Sequence, residues 1–359
     1  MDWKQHRLTR RLRLSSALTR ELYGLLTRID AVKHSWTITQ NLQPRTIDRL
    51  TQSVIITSTG ASNRIEGNRL SDEEIEAIYR DMRIQRLKTR YEQEVVGYLE
   101  QLQFAFENFE DIGITESNIL MLHDRLLRHS EKDARHRGGY KFGSNRVEAK
   151  DQSGNVLGVV FDPTPPHLVP KEMSELVDWY AWARVEDESH PLIHTANFLF
   201  EYLAIHPFQD GNGRTSRLLT NLMLLQHGYA FTQIVSHERL IEQVKADYYL
   251  ALNQAQKTWK KKPEDLAPWF RFFLQIVHGQ ADEALAILER GDGDSLLSEN
   301  QQALLNWAGT LGGEAFARRD AIEALNLPAR TVEATIKKLV ELKRLTRLGQ
   351  GRATRYVVR

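Results

Sequence analysis

The 359-residue chain contains no cysteine, which removes disulfides, thiolate metal sites and cysteine nucleophiles and suits a reducing compartment. It also lacks any apolar run near the roughly 18 residues of a membrane-spanning helix. Met1-Asp2-Trp3-Lys4-Gln5-His6-Arg7-Leu8 has no signal-peptide core. The expectation is a cytoplasmic protein with no membrane partner. A dominant charge is missing too: 48 Lys and Arg stand against 47 Asp and Glu, a formal net charge of +1. Overall charge therefore says nothing about partners, and only its local distribution can. What is there, 41% hydrophobic and 26% charged residues, is ordinary for a globular protein of two or three domains.

Along the chain, helical spacing dominates. Leu18, Leu22, Leu25, Leu26 and Ile29 recur on one face. Ile75, Ile78 and Tyr79 follow the acidic start Ser71-Asp72-Glu73-Glu74, a helix N-terminal signature. Between Arg137 and Pro170 the chain turns rich in Gly and Pro, with two β-prone runs around Asp151-Gln152-Ser153-Gly154-Asn155 that predict a hairpin set between helices. Helical texture returns at Lys171 and runs to about His278, and Glu289 to Leu296 reads as a linker. These shifts divide the chain into 1–90, 91–288 and 298–359.

The tail predicts a winged helix-turn-helix. Arg319 to Leu325 makes a short helix, Asn326-Leu327-Pro328 turns, and Thr331 can cap a second helix carrying Val332, Ile336, Leu339 and Val340. Two strands then flank Gly349-Gln350-Gly351 as a wing. Residues 316–359 hold eleven Lys/Arg against four Asp/Glu, so DNA is a candidate partner, through groups such as Arg330, Lys337 and Arg352. A packing module with a solvated basic face is the alternative.

The chemistry concentrates in His206-Pro207-Phe208-Gln209-Asp210-Gly211-Asn212-Gly213-Arg214-Thr215-Ser216-Arg217. Pro207 ends the preceding apolar helix, and Phe208 anchors the loop. Gly211-Asn212-Gly213 opens the next helix, and a glycine turn feeding a helix N-terminus is a ready anion site. Arg214 and Arg217, three apart on one face, can meet one polyphosphate, yet two cations in a first turn oppose the helix dipole and call for an anion. Asp210 offers a hard oxygen to Mg²⁺ bridging phosphates, and His206 can take a proton from a hydroxyl. Eight such specified positions arise by chance on the order of once in 10⁷ such chains, at average residue usage.

The stretch resembles the signature of the Fic (filamentation induced by cAMP) family, HxFx[DE]GNGRxxR, at every specified position. The resemblance, over roughly residues 90–280, implies a mainly α protein: a Fic-type helical core with a β-hairpin flap, here joined to a C-terminal winged helix-turn-helix domain. It implies AMP transfer from ATP, with Mg²⁺, to a hydroxyl of a protein target, possibly the chain itself, with release of pyrophosphate. His206 would be the base, Asp210 the Mg²⁺ ligand, and Gly211, Asn212, Gly213, Arg214, Thr215, Ser216 and Arg217 the phosphate-binding segment. The flap would span Val147 to Phe161, with Val160, Phe161, Asp162 and Pro163 near the nucleotide, and Tyr248 and Tyr249 would wall the adenine. Gln256 stands where some relatives carry Asn.

Upstream, Ser62-Asn63-Arg64-Ile65-Glu66-Gly67 fits the family's inhibitory pattern [ST]xxxE[GN]. Glu66 is then the anion that pairs with Arg217 and denies the γ-phosphate its clamp; the plainer reading is a glutamate ending a helix at Gly67. Other classes stay open: a DNA-binding regulator with a nucleotide-sensing site, removal of AMP from protein, or another nucleotidyl or phosphoryl transfer on the same scaffold.

Overall fold

The computed structural model describes residues 1–38, 44–81, 87, 89–145, 147–150, 156–290, 297–342, 344–349, 351 and 354–358. The chain is mainly α, and among the described residues the short strands form two hairpins. Its contacts form two compact units, Met1–Arg69 with Arg86–Arg290, and Leu70–Gln85 with Gly291–Arg359.

The first unit is built around Pro191–Ile205, a helix so apolar that Leu192 through Ile205 are all buried. A helix apolar all round has no face to give to solvent. It packs against Val169–Glu186 on one side and Asn212–Gln226 on the other. Leu18, Leu22, Leu26 and Ile29 of Ser16–Ile38 are buried as their spacing predicts, while Leu25 sits half-buried at the margin of that face. The N-terminal segment joins this core through buried charge. Arg11 Nη1 donates to Glu201 Oε2 at 2.6 Å and to Glu264 Oε2 at 3.1 Å, and Arg7 pairs with the same two carboxylates. Residues 1–69 are therefore part of the central unit rather than a separate region.

Val147–Lys150 and Val156–Phe161 pair antiparallel, Val147 with Phe161 and Lys150 with Val156, as the predicted hairpin. Its turn, 151–155, lies outside the described residues, as does most of the predicted linker, 291–296.

In the second unit, Glu299–Thr310, Arg318–Leu325 and Ala329–Glu341 enclose Leu304, Phe316, Ala321, Val332, Ile336 and Leu339, closed by Leu345 of the strand Leu345–Leu348. That strand pairs antiparallel with Arg355–Val358. Asn326, at φ 51°, turns the chain between the last two helices. Thr331 is not the cap expected of it. The helix begins at Ala329 after an extended Pro328, which sets the cap three residues earlier and leaves Thr331 inside the first turn. Arg330 and Lys337 are exposed on this helix, and Arg352 lies outside the described residues. Asp72–Asp81 also belongs to this unit, and Ser71 and Glu74 cap it reciprocally. No helix among the described residues is long and apolar enough to cross a membrane.

Candidate active site

His206 is the C-cap of Pro191–Ile205, held in the left-handed region at φ 53°, ψ 62°. A non-glycine residue there is strained, and the strain persists because neighbours fix it. Its N–H donates to Tyr202 O at 2.9 Å. Lys141 N–H donates to Pro207 O at 2.8 Å, Lys141 Nζ to Ile205 O at 3.2 Å, and Asn145 Nδ2 to Phe208 O at 2.7 Å. The imidazole Nδ1 lies 3.3 Å from Leu203 O. A carbonyl can only accept, so Nδ1 carries the proton and the Nε2 lone pair is left as a base. Burial, reinforced by the Lys141 charge and only partly countered by Glu66 and Asp210, lowers the ring to about 4, so it is neutral at physiological pH.

The loop is closed from inside. Asn212 Oδ1 accepts Phe208 N–H at 2.9 Å and its Nδ2 donates to Phe208 O at 2.8 Å. The Phe208 ring, fully buried, stacks on His123 at 3.6 Å between centroids. His123 accepts Gly138 N–H at Nδ1, which leaves Nε2–H to donate to Asp210 O at 3.0 Å. Gly211 takes φ 80°, a value only glycine adopts freely, and the helix Asn212–Gln226 starts with no side chain capping it. The N–H groups of its first turn are thus left to a ligand.

Around that N-terminus charges are buried and incompletely matched. Arg214 is 3% exposed; its Nη2 donates to Asp210 Oδ1 at 3.3 Å, while Nε and Nη1 have no hydrogen-bond partner among the described residues. Glu94 lies 3.8 Å from Nη1, within ion-pair range only. A buried guanidinium with idle donors fits an anion that supplies further oxygens. Asp210 is half-exposed. Burial would raise its carboxyl, but Arg214, the Gly211 N–H and Arg90 hold it below the usual range. No group of three or more His, Asp or Glu is placed to hold a metal among the described residues. A cation held by Asp210 would thus take its other oxygens from a bound ligand, as suits Mg²⁺ on phosphates.

Glu66 meets this site from the end of Pro44–Ile65. Gly67, at φ 95°, donates to Arg64 O at 3.0 Å, and Asn68 N–H reaches back to Asn63 O at 3.0 Å, the paired bonds of a Schellman turn. That turn makes Glu66 the C-cap, an unfavourable place for an acid. The compensation is Arg217, whose Nη2 donates to Glu66 Oε1 at 2.8 Å. Ser62 holds the same guanidinium, accepting from Nε at its Oγ, 2.8 Å, and from Nη2 at its carbonyl, 2.9 Å. Burial would raise the Glu66 carboxyl, but Arg217 outweighs it and holds it below the usual carboxylate range. The carboxylate lies so close over Gly213 that a Cβ there would strike Glu66 Oε1.

The other sequence-picked residues divide. Thr215 is fully buried, and Ser216 Oγ donates back to Gly213 O at 2.8 Å. Both polar atoms of Asn212 are committed to Phe208, leaving only its backbone N–H for an anion. Tyr248 is buried against Trp269 and Phe272, whereas Tyr249 is 43% exposed beside it. Phe161 packs on Trp259, Pro163 is buried and Asp162 is exposed; the side chain of Val160 lies outside the described residues. Sequence reasoning missed His123, Lys141, Asn145, Glu94 and Arg90. Most of their bonds go to backbone carbonyls or across long separations, and no local spacing announces them.

Residues 113–224 match the model of the Fic/DOC family. The chain is 29% identical over 230 residues to "Protein adenylyltransferase Fic" of Nematostella vectensis, covering 63% of this chain and 47% of that protein. It is 28% identical over 249 residues to "Protein adenylyltransferase fic-1" of Caenorhabditis elegans, 67% of this chain and 43% of that one. The chain thus spans less than half the length of these curated relatives. Among solved structures, a Fic family protein from Desulfovibrio desulfuricans G20 superposes with a TM-score of 0.60 at 24% identity, over 96% of this chain and 97% of that chain. A Fic domain containing signaling protein from Bacteroides thetaiotaomicron gives 0.62 at 24% identity, over 76% of this chain and 99% of that chain. At that identity the likeness is one of fold.

Proposed function

We propose that this chain, whose residues 113–224 form a Fic/DOC-family domain, transfers AMP from ATP to a hydroxyl of a protein and is restrained by its own Glu66. The observation that carries the reading is a neutral histidine whose Nε2 has no hydrogen-bond partner among the described residues, set in the same twelve-residue stretch as an uncapped helix N-terminus and the buried Arg214 and Arg217. The hydroxyl oxygen bonds to the α-phosphorus, the bond from that phosphorus to the α–β bridging oxygen breaks, and pyrophosphate leaves. His206 Nε2 takes the hydroxyl proton. The N–H groups of the Asn212–Gln226 first turn, Arg214 and Arg217 bind the triphosphate. Asp210 would hold Mg²⁺, which would supply charge neutralisation to the phosphates.

Glu66 holds the guanidinium that the γ-phosphate needs, so ATP is bound out of line for attack until the carboxylate leaves. The test uses Glu66→Gly protein with α-labelled and γ-labelled ATP in parallel. AMP transfer retains the α label and loses the γ label. Incorporation of γ label would assign phosphoryl transfer instead, and no incorporation on the chain or on lysate proteins would reject the reading.

A further inference from the structure

Glu66 sits on a turn at a helix end, and such an end frays unless contacts from outside the helix hold it. Arg64, two positions earlier, is where those contacts gather. Its carbonyl accepts the Gly67 N–H at 3.0 Å, one of the two bonds that close the Schellman turn around Glu66, and Lys245 Nζ donates to the same oxygen at 3.4 Å. Its side chain is held by a fork of two bonds, Nε to Glu242 Oε1 at 2.7 Å and Nη2 to Glu242 Oε2 at 3.0 Å. Six residues back, Ser58 Oγ donates to Ser236 Oγ at 2.8 Å, both buried. The outside partners come from one stretch of chain. Ser236 caps His237–Gln243, Glu242 lies in the last turn of that helix, and Lys245 opens Lys245–Gln256 just after Val244. All of these residues belong to the first unit. A glutamate in a helix's last turn is opposed by that helix's dipole, as Glu66 is at its own cap. Each is compensated by an arginine of another helix, Glu242 by Arg64 and Glu66 by Arg217.

We propose that Glu242 is a positioning residue for the brake: through Arg64 it holds the turn that lays Glu66 on Arg217. The inference rests on the reading of Glu66 as inhibitory. The fork fixes the Arg64 side chain in one geometry, and the Gly67 bond to the Arg64 carbonyl carries that restraint to the residue between them in the turn. Cutting the fork gives the last helical turn more conformations. Each one that draws Glu66 away frees the guanidinium for the γ-phosphate. Among the described residues Glu242 bonds to no group of the proposed transfer site, so its effect on transfer passes through Glu66.

The experiment compares AMP incorporation from α-labelled ATP by full-length wild type, Glu66→Gly, Glu242→Ala, Glu242→Gln and Glu66→Gly/Glu242→Ala, with hydrogen exchange over 60–69 and 212–226 on each. The expected result for Glu242→Ala is faster exchange over 60–69 with 212–226 unchanged. Incorporation should rise about 2- to 5-fold, the range that a partly exposed ion pair can transmit. The double variant should be no faster than Glu66→Gly alone. Glu242→Gln keeps the length and one acceptor oxygen for Arg64, so it should fall between wild type and Glu242→Ala, and it carries the test where Glu242→Ala disturbs 212–226. Unchanged exchange over 60–69, faster exchange with incorporation unchanged, or a gain that persists in the Glu66→Gly background overturns the positioning role and leaves the brake. Glu66→Gly no faster than wild type sinks the brake, and this inference with it.

Discussion

Replacing Glu66 by glycine isolates one bond at the centre of the site. The change removes a carboxylate oxygen 2.8 Å from Arg217 Nη2 and leaves the guanidinium held by the Ser62 hydroxyl and carbonyl at 2.8 and 2.9 Å, so the arginine keeps its place. A hydrogen bond between charged groups contributes about 1.5–3 kcal/mol. The Glu66 side chain is 38% exposed, so solvent takes up part of that, and roughly 1.5–2 kcal/mol is the reasonable share. Restoring Arg217 to the γ-phosphate should therefore raise AMP incorporation about 10- to 30-fold over wild type at equal MgATP. Initial rates from intact mass of the chain, or from α-labelled ATP with lysate proteins, read this directly. Glu66→Gly with His206→Ala is the inactive control. A folded Glu66→Gly protein that incorporates AMP no faster than wild type would falsify the clamp-blocking account and leave Glu66 a structural or hydrolytic residue.

His206→Ala in the Glu66→Gly background should lose about 10²–10⁴-fold in transfer with ATP affinity nearly unchanged, since it removes the base and no phosphate contact; near-normal transfer would show another base. Arg217→Ala should weaken transfer and make a further Glu66→Gly change almost silent, and strong activation in that background would exclude the ion pair as the brake. The pH profile of Glu66→Gly should stay flat from pH 8 to about 5 and fall below it. Burial and Lys141 depress His206 to about 4, and losing Glu66, which raises it, moves it further down. An inflection near 6.5, the value of a free histidine, would contradict this environment. In wild type the same acidification should not lift the brake, because Arg217 keeps the Glu66 carboxylate ionised below its ordinary range.

Legibility followed sequence separation. Within His206 to Arg217 the helix stop at Pro207, the glycine turn and the cations are local chemistry, and each could be read from residue type and order, whereas the left-handed conformation of His206 could not. What residue order did not show is side-chain direction: Asn212 and Ser216 turn polar atoms to the loop and helix that carry them, since a short polar side chain at a helix start bonds readily to nearby backbone. The Glu66–Arg217 pair spans 151 positions, and the dipole conflict in the first turn predicted that an anion must exist without saying where. The family pattern supplied the address. Nothing supplied one for Glu73, whose partners lie 225 to 262 residues away. Read locally, it is one more acid in a first turn, where acids belong without any tertiary reason. The Asp72–Asp81 helix was predicted for the right local reason, and its contacts group it with Gly291–Arg359, which no local pattern announces.

The same electrostatics gives Glu66 a role beside the proposed inhibition, since without nucleotide it is what balances a buried charge. Arg217 is 2% exposed, and burying a guanidinium without a counter-charge is costly. Two neutral acceptors from Ser62 remain in Glu66→Gly and offset part of that cost, and the lost carboxylate was itself partly solvated. The nucleotide-free variant should thus be less stable than wild type by about 1–2 kcal/mol, a small share of the several lost when a fully buried pair is broken. A triphosphate returns the missing anion. ATP at a hundredfold excess over its Kd stabilises any binder by about 2.7 kcal/mol, and the variant, which binds without having to displace Glu66, should gain more than wild type at the same concentration. Differential scanning fluorimetry with and without MgATP reads both effects: a Tm a few degrees lower for the nucleotide-free variant, and a larger upward shift on adding ATP. Equal nucleotide-free Tm values would mean that Ser62 and solvent satisfy Arg217 unaided. The site would then carry no unbalanced charge, and the demand for an anion in that first helical turn would have no energetic basis.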